Sequence, residues 1–396
     1  MVRKPKHFGR WIAIGVAIGL VASAAAWAGK PDKPGGGGGG GGQTAPYTIV
    51  AFRAPAPPTD FESHDSHVWD LNELGDAVGV EEFRRELANG SHQTVRWALH
   101  VDMATGTYTQ LQDCHTAMGV NNLSQIVGRR VSSAHFVPAF WKAPGAAPVD
   151  LPLVAGHTEG WASGINDAGM IVGISDGESV IWRVFVDQDA VAVDGPLPLP
   201  PLDGHVAVWG SDIDELMDGS FQVSGYSRGE NGVYENEAVV WTLGINDDGT
   251  LATPGLPVGV GTLGLSDPSE SYANAINIVG DVCGQSDWMP FVAPAGQTAQ
   301  PMPVPRNTAF GTAFDINNFG EIVGRLDLVD KRGLWVAPCA CLWKDGDVID
   351  LETQIDRKSG WDQLWGASVI NDAGIIAGYG RFDVDPRGFL LIPTQP

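Results

Sequence analysis

The stretch GINDAGMIVG at residues 164–173 has a similar copy, VINDAGIIAG, 205 residues later at residues 369–378. Written as aliphatic-Asn-x-x-Gly-x-x-x-Gly, this pattern has six copies: LNELGDAVG (71–79), VNNLSQIVG (120–128, with Ser for the first Gly), INDAGMIVG (165–173), INIVGDVCG (276–284), INNFGEIVG (316–324) and INDAGIIAG (370–378). A seventh copy, IDELMDGSFQVSG (213–225), has Asp for Asn and four extra residues. The Asn or Asp positions are 40 to 63 residues apart, a spacing typical of repeat folds with variable loops.

Each copy favours a tight turn between two strands. Apolar residues alternate on both sides of the Asn-Asp-Ala-Gly segment at residues 166–169. Asn and Asp side chains bond nearby backbone N–H groups, and Gly169 can adopt the positive φ that closes a bulged hairpin. A phosphate cradle would need a helix N-terminus after the loop, and the sequence predicts none there. We therefore interpret the motif as a turn and not as a ligand site.

A second apolar block follows each turn: QTVRW (93–97), VPAFW (137–141), ESVIW (178–182), EAVVW (237–241), MPFVA (289–293), CACLW (339–343) and RGFLL (387–391). Five of the seven blocks end in Trp, which predicts that Trp97, Trp141, Trp182, Trp241 and Trp343 pack between repeats at one shared position. The one segment with helical character is EEFRRELANG, and we predict a short helix over 81–90. Four short strands in each of seven repeats predict an all-β protein, a seven-bladed β-propeller.

The two ends of the chain predict how the propeller closes. The last repeat stops at RGFLLIP without room for a fourth strand, while YTIVAF (47–52) has no partner in the first repeat. We expect residues 47–52 to complete the last blade, so that a propeller domain spans 47–396 and leaves no long unpaired edge. Residues 1–28 combine a basic start, an apolar run and Ala26-Trp27-Ala28, which indicates a secretory signal peptide. The Gly/Pro-rich residues 29–46 indicate a disordered linker.

The charge of the protein restricts its partners. The chain has 47 acidic and 24 basic residues, and loss of residues 1–28 would leave a net charge of −27. Such an acidic protein repels phosphate backbones and anionic lipid surfaces, so we expect no nucleic-acid partner. We also expect no membrane span after signal removal, because no other segment has the roughly 18–20 apolar residues that a spanning helix needs. The protein is expected to be secreted or periplasmic.

The repeats resemble a known family. The pairing of aliphatic-Asn-x-x-Gly-x-[Ile/Val]-Val-Gly with a downstream Trp block resembles the HAF repeat of bacterial extracellular repeat proteins. EAVVW (237–241) and CACLW (339–343) stand where that family has His-Ala-Phe-Leu-Trp, so the family's His is absent here. The resemblance covers roughly residues 60–396 and implies export and a repeated β fold. It implies no particular reaction.

Few side chains suggest a chemical site. Asp212, Asp214 and Asp218 resemble the oxygen ligands of a calcium loop, although the third acid comes one position late and no bidentate Glu follows. We interpret the segment as a stretched hairpin turn, and we keep these three residues as the best local metal candidate. Residues 60–67 collect carboxylates with His64 and His67, and we interpret them as a solvated connection into the first blade and not as a metal site.

Two motif matches lack the required context. GISDG (173–177) matches a nucleophile elbow and GVGTLG (259–264) matches a dinucleotide fingerprint, but no helix is predicted after either. We therefore predict no catalytic residue, no cofactor-binding residue and no cofactor, with calcium at Asp212, Asp214 and Asp218 left open as the one candidate ion. The four cysteines, Cys114, Cys283, Cys339 and Cys341, allow three disulfide pairings that the sequence does not rank.

Five tryptophans lie outside the strand positions described above: Trp161, Trp209, Trp288, Trp361 and Trp365. Aromatic side chains near propeller loops can stack on sugar rings. The sequence therefore favours an exported, non-enzymatic binding or scaffold module for a glycan or protein of the envelope or extracellular space. The alternative is a secreted polysaccharide hydrolase or lyase, which would hold carboxylates about 5–9.5 Å apart at the channel mouth.

Overall fold

The computed structural model describes residues 45–54, 56–230 and 236–394. They form seven four-stranded antiparallel sheets and one short 3-10 helix, and no α-helix occurs in these ranges. The seven sheets are the blades of a β-propeller, so the fold predicted from the repeats is confirmed. The predicted signal peptide (1–28) and nearly all of the predicted linker (29–46) lie outside the described residues.

Blade by blade, the elements are β2 (Glu62–Leu71), β3 (Asp76–Glu86), β4 (His92–Asp102) and β5 (Thr107–Gln110) in blade 1; β6 (Thr116–Val120), β7 (Ile126–Ser132), β8 (His135–Trp141) and β9 (Val149–Asp150) in blade 2; β10 (Gly160–Ile165), β11 (Met170–Ser175), β12 (Glu178–Asp187) and β13 (Ala190–Pro198) in blade 3; β14 (His205–Glu215), β15 (Phe221–Gly229), β16 (Asn236–Leu243) and β17 (Val258–Gly261) in blade 4; β18 (Ser271–Ile276), β19 (Val282–Ser286), β20 (Met289–Ala293) and β21 (Gln300–Pro301) in blade 5; β22 (Thr308–Ile316), β23 (Ile322–Val329), β24 (Trp335–Lys344), β25 (Asp347–Asp350) and the 3-10 helix Leu351–Gln354 in blade 6; and β26 (Trp361–Ile370), β27 (Ile376–Phe382), β28 (Asp385–Pro393) and β1 (Tyr47–Ala51) in blade 7.

The two ends of the chain close the propeller together. Strand β1 pairs with β28 in an antiparallel register that runs from Tyr47 opposite Pro393 to Ala51 opposite Phe389. The backbone N–H of Phe52 continues the ladder by donating to Gly388 O at 2.8 Å. The prediction that residues 47–52 supply the missing strand of the last blade is therefore confirmed.

The repeated motif is a hairpin turn that also joins neighbouring blades. In blade 1, Asn72 Oδ1 accepts the N–H groups of Leu74 and Asp76, and Gly75 takes the predicted positive φ of 87°. The Nδ2 group of Asn72 then donates to the carbonyl of Asn121 in blade 2 at 2.8 Å. The same side-chain bond to the next turn joins blades 2 and 3, 5 and 6, 6 and 7, and finally 7 and 1.

The second glycine of the motif is required by the close approach of two strands. A Cβ on Gly173 would lie 2.2 Å from the carbonyl oxygen of Trp161 on the inner strand. In every blade the equivalent distance is between 2.0 and 2.3 Å, for Gly79, Gly128, Gly173, Gly225, Gly284, Gly324 and Gly378. No residue with a side chain fits this position without displacing the inner strand.

Apolar cores lie between neighbouring blades, and four tryptophans occupy one shared position in them. Trp141, Trp182, Trp241 and Trp343 are buried and each donates its indole N–H to a backbone carbonyl. Trp97 does not share this position, contrary to the sequence prediction. It pairs with Glu81, whereas Val101, opposite Ala77, takes the equivalent place in blade 1.

Two further predictions in blade 1 are wrong, and both concern strands of unusual length. Residues 81–90, predicted as a helix, continue β3 to Glu86 and turn into β4, with Phe83 buried and Glu82 turned outward in strand alternation. Residues 60–67, predicted as a solvated connection, include the first half of β2 from Glu62 onward. The long β2–β3–β4 meander also explains why Trp97 is displaced by four residues.

Candidate binding site at the channel mouth

The inner strands of the seven blades surround a central channel. Each inner strand begins at the face formed by the loops between blades, which we call the mouth, and ends at the Asn turns on the opposite face. At one level near the mouth the inner strands carry His67, Thr116, Trp161, Trp209, Tyr272, Thr312 and Gly366. Their partners on the second strands are Val80, Arg129, Ile174, Tyr226, Gln285, Arg325 and Tyr379. We call these fourteen positions the mouth ring.

Contacts across blades link members of the mouth ring. The rings of Tyr379 in blade 7 and His67 in blade 1 are 6.0 Å apart. The hydroxyl of Thr312 in blade 6 donates to Gln285 Oε1 in blade 5 at 3.0 Å. Second-strand side chains at this level therefore reach toward the following blade.

Blades 3 to 5 contribute an aromatic arc to the mouth ring: Trp161, Trp209, Tyr226 and Tyr272. The rings of Trp161 and Trp209 are 5.8 Å apart, and those of Tyr226 and Tyr272 are 4.9 Å apart and edge-on. Trp161, Trp209 and Tyr272 are half-buried, and Trp161 Nε1 has no hydrogen-bond partner among the described residues. This N–H is itself buried, so what the arc offers at the mouth is apolar ring faces.

Both tyrosines of the arc are neutral phenols at physiological pH. Burial raises the pKa of Tyr226 to about 12. The pKa of Tyr272 is raised further, first by burial and then by the neighbouring carboxylate of Glu270, which accepts its hydroxyl at 2.9 Å. These hydroxyl groups can therefore serve as hydrogen-bond donors and acceptors but not as bases.

Blades 6, 7 and 1 complete the ring with polar side chains. Arg325 donates to Asp327 Oδ1 at 2.7 Å and to the Tyr379 hydroxyl at 3.4 Å. His67 lies 3.8 Å from Asp65 Oδ1. This side of the mouth is polar and holds the Arg325–Asp327 ion pair, in contrast to the aromatic arc opposite it.

Deeper in the channel, Asp70, Asp212 and Asp315 link neighbouring blades. One carboxylate oxygen of each accepts the N–H of the next residue in its own strand. The other oxygen accepts an N–H from the following blade: Asp70 from Val120 at 2.7 Å, Asp212 from Ile276 at 3.1 Å and Asp315 from Ile370 at 2.7 Å. Three side chains thus satisfy six inner-strand N–H groups in six different blades.

These carboxylates are weaker acids than free Asp. Each is partly accessible from the channel but is surrounded by protein, and this desolvation raises the pKa of Asp70 to about 7 and that of Asp315 to about 8. Burial likewise raises the pKa of Asp212, whose charge raises the other two. Backbone N–H groups oppose the shift at all three sites. With pKa values of about 7 and about 8, Asp70 and Asp315 are partly ionised near neutral pH.

The three residues of the predicted calcium site do not share one environment. Asp212 and Asp214 both lie on β14, and Asp214 accepts Glu215 N–H at 2.7 Å while burial raises its pKa to about 7. Asp218 lies in the turn that follows and bonds to Ser220. Within the described parts of the chain, no group of three or more His, Cys, Asp or Glu side chains is arranged to hold a metal ion. The calcium assignment stays a prediction.

The two enzyme-like motifs have structural roles. Ser175 of the GISDG motif is fully buried, and its hydroxyl bonds Val154 N–H at 3.1 Å and His157 Nδ1 at 2.9 Å, which ties the incoming loop to the strand. Asp176 bonds backbone N–H groups of that loop and not the histidine. The GVGTLG motif belongs to β17, the outer strand of blade 4, and to the loop after it.

All four cysteines are free thiols in the structure: Cys114, Cys283, Cys339 and Cys341. Cys283 and Cys341 are fully buried, and desolvation raises their pKa well above the ordinary thiol value. Neither thiol is a nucleophile in the folded protein, since the thiolate is the reactive form.

Two of the five tryptophans outside the repeated Trp position, Trp161 and Trp209, meet in the aromatic arc, and the other three lie elsewhere. Trp288 packs on Phe310, Trp361 packs on Phe382 and Phe389, and Trp365 donates to Gln363. Asp70, Asp315, Tyr226, Tyr272 and the arginines of the mouth ring were not predicted from the sequence. A signal was present, because every mouth-ring residue on an inner strand stands five positions before the motif Asn or Asp, and each partner follows the second motif Gly.

The chain matches no family model and no curated protein. Among solved structures, it is similar to a puromycin-hydrolyzing peptidase of Mycobacterium tuberculosis, with 14% identity over 89% of this chain and 55% of that one and a TM-score of 0.48. It is also similar to virginiamycin B lyase of Staphylococcus aureus, with 11% identity over 87% of this chain and 99% of that one and a TM-score of 0.43. A sialidase of Trypanosoma rangeli is similar with 10% identity over 89% of this chain and 58% of that one and a TM-score of 0.36. The chain thus spans about half the length of the peptidase. At this level of similarity no activity is carried over to the present chain.

No helix in the described residues has both the length and the apolar character needed to cross a membrane.

Proposed function

We propose that the protein is an exported, non-enzymatic binding module whose ligand is a glycan held at the mouth of the propeller channel. The observation that carries this proposal is the aromatic arc, which places four large rings from three blades around one side of the mouth. Sugar rings present apolar C–H faces that stack on aromatic rings, and hydroxyl groups that need polar partners.

Substitution of the tryptophans tests the proposal. We expect Trp161→Ala and Trp209→Ala each to weaken binding of a polysaccharide at least about tenfold, which corresponds to about 1.4 kcal/mol. The measurement is calorimetric titration with a panel of bacterial and plant polysaccharides. Phe319→Ala is the matched control, because that ring is 74% exposed on a turn of the opposite face. Failure of the unaltered protein to bind any member of the panel, or equal losses in the control, would contradict the proposal.

A second candidate, polysaccharide hydrolysis or elimination, is favoured by one observation. The pKa values of Asp70 and Asp315 are raised to about 7 and about 8, a range that suits a general acid. Against this, both oxygens of each carboxylate already accept backbone N–H groups. We expect no release of reducing ends or unsaturated products. Product formation that is lost in Asp70→Asn or Asp315→Asn would establish the enzyme instead.

Export of the protein, its family and calcium binding are three further proposals. We infer that residues 1–28 direct the chain to the periplasm or the extracellular space, and that the protein belongs with the HAF-repeat proteins that its seven repeats resemble. Sequencing of the mature N-terminus in a bacterial host tests export, and the expected first residue is Gly29. A thermal-shift comparison of calcium with EDTA tests whether Asp212, Asp214 and Asp218 bind the ion.

A further inference from the structure

Arg129 is an arginine of the mouth ring that lacks an acidic partner. The protein has 47 acidic residues against 24 basic ones, so a half-buried guanidinium without a carboxylate is unexpected. Among the described residues Arg129 forms no ion pair, whereas Arg130, next to it, pairs with Asp150. The contacts of Arg129 are Phe136, whose ring lies 4.2 Å below the guanidinium, and Thr116 Oγ1, 3.4 Å from Nε.

The surroundings of Arg129 are locally positive. Burial lowers its pKa and the charge of Arg96 lowers it further, although a guanidinium remains protonated. His115 responds to the same field: burial, followed by Arg96 and Arg129, lowers its pKa to about 4 and keeps it neutral. Two acidic side chains oppose this field: Glu82, which pairs with Arg96, and exposed Glu159 at the start of blade 3. Among the described residues neither forms an ion pair with Arg129.

The strand register indicates that Arg129 faces blade 3, the first blade of the aromatic arc. Arg129 pairs with Thr116 on the inner strand of blade 2. Second-strand residues at this level contact the next blade, as Gln285 contacts Thr312 and Tyr226 contacts Tyr272. The corresponding neighbour of Arg129 is blade 3, whose mouth-ring residue is Trp161. The electrostatic effect of Glu159, two residues before Trp161, agrees with this placement.

We propose that Arg129, together with Trp161 and Trp209, forms a subsite for an acidic sugar, a residue that carries a carboxylate on its ring. This inference rests on the proposed glycan-binding function and names the ligand class of the same site. A partly desolvated cation is stabilised by an anion that binds it directly. The planar guanidinium group matches a carboxylate through two parallel hydrogen bonds. Of its three nitrogens, Nε already donates to Thr116 Oγ1, which leaves the two terminal NH2 groups for the carboxylate. A sulfate ester shares the negative charge but not the planar shape.

Three matched probes separate these chemistries: a tetrasaccharide of galacturonic acid, the galactose tetrasaccharide obtained by reduction of its carboxyl groups, and a sulfated galactose tetrasaccharide. We expect the unaltered protein to bind the galacturonic acid tetrasaccharide at least tenfold more tightly than the neutral one at fixed ionic strength. Arg129→Gln should remove this preference, so that the acidic and neutral probes bind with similar affinity. Arg129→Lys should retain only part of the preference, because it keeps the charge without the planar guanidinium group.

Arg130→Gln is the matched control, since it removes the same charge from the adjacent residue of the same strand, and it should bind all three probes like the unaltered protein. Thermal melting verifies that each variant is folded. Three outcomes would overturn the inference: equal affinity for the acidic and neutral probes, an Arg129→Gln variant that keeps its preference, or tighter binding of the sulfated probe. In each case, a loss of polysaccharide affinity in Trp161→Ala would still support the proposed function. If none of the three probes binds and the wider polysaccharide panel also fails, both are overturned.

Discussion

The second glycine of the motif provides the sharpest test of the fold. In Gly173→Ala the new Cβ would lie 2.2 Å from Trp161 O, 2.8 Å from Ala162 Cα and 2.9 Å from the indole of Trp182. Ordinary contacts between such atoms are longer than 3 Å, so β10 must move away from β11 by about 1 Å. Such a shift lengthens the hydrogen bonds between these two strands from about 2.9 Å to nearly 4 Å, a distance at which they are lost.

The cost follows from these displacements. Two ladder hydrogen bonds are worth about 1 kcal/mol each, and overpacking against a buried tryptophan adds about 1–3 kcal/mol. We therefore expect Gly173→Ala to lower the free energy of unfolding by about 3–5 kcal/mol. The control is Gly164→Ala on the paired strand, where the new Cβ has its nearest neighbour at 3.5 Å. That change should be neutral, or stabilising by up to about 1 kcal/mol, because alanine has less freedom in the unfolded chain.

Urea unfolding followed by both tryptophan fluorescence and circular dichroism measures the difference. Coincident transitions establish that one free energy describes the process. With a slope of about 3 kcal/mol/M or more for a protein of this size, Gly173→Ala should lower the midpoint by about 1 M. If Gly173→Ala and Gly164→Ala share one midpoint, the close approach of the inner strand is not the reason for the glycine.

Three further outcomes are expected. Asn371→Ala removes the hydrogen bond of 3.0 Å from Nδ2 to Asn72 O, whereas Nδ2 of Asn166 has no partner among the described residues. We therefore expect Asn371→Ala to destabilise the protein by about 1 kcal/mol more than Asn166→Ala, and equal urea midpoints would contradict this. Because Asp70 and Asp315 have pKa values raised to about 7 and about 8 in the folded protein, their contribution to stability is complete at and below about pH 4 and is lost as the pH rises to about 8. Asp70→Asn with Asp315→Asn should flatten that part of the stability–pH curve, and an unchanged slope would refute the assignment. Deletion of residues 47–52 should leave blade 7 with three strands and abolish the cooperative unfolding transition, which denaturant titration detects.

Most of the architecture could be predicted because its causes are local. The Asn turn and the positive φ of Gly169 involve residues within one hairpin, so the pattern repeats wherever a blade is built. Closure by residues 47–52 was equally predictable, since a four-stranded repeat that stops one strand short requires a strand from elsewhere. The errors arose where blade 1 departs from the repeat length. There the charged residues 81–90 resembled a helix, but the buried side chain of Phe83 belongs to a lengthened strand.

The candidate site could not be predicted in the same way, because it is assembled from different blades. Trp161 and Trp209 are 48 residues apart, and His67 and Tyr379 are 312 residues apart, yet each pair meets at one level of the channel. Their offsets from the motif were visible in the sequence, but the direction of each side chain depends on strand twist and on a bulge in each inner strand. Local hydrogen bonding and sterics therefore determined the turn, the glycines and the number of blades from the sequence alone. Only the closed ring of blades decided which side chains face one another across the channel, because those contacts exist only after seven separate blades have packed around one axis.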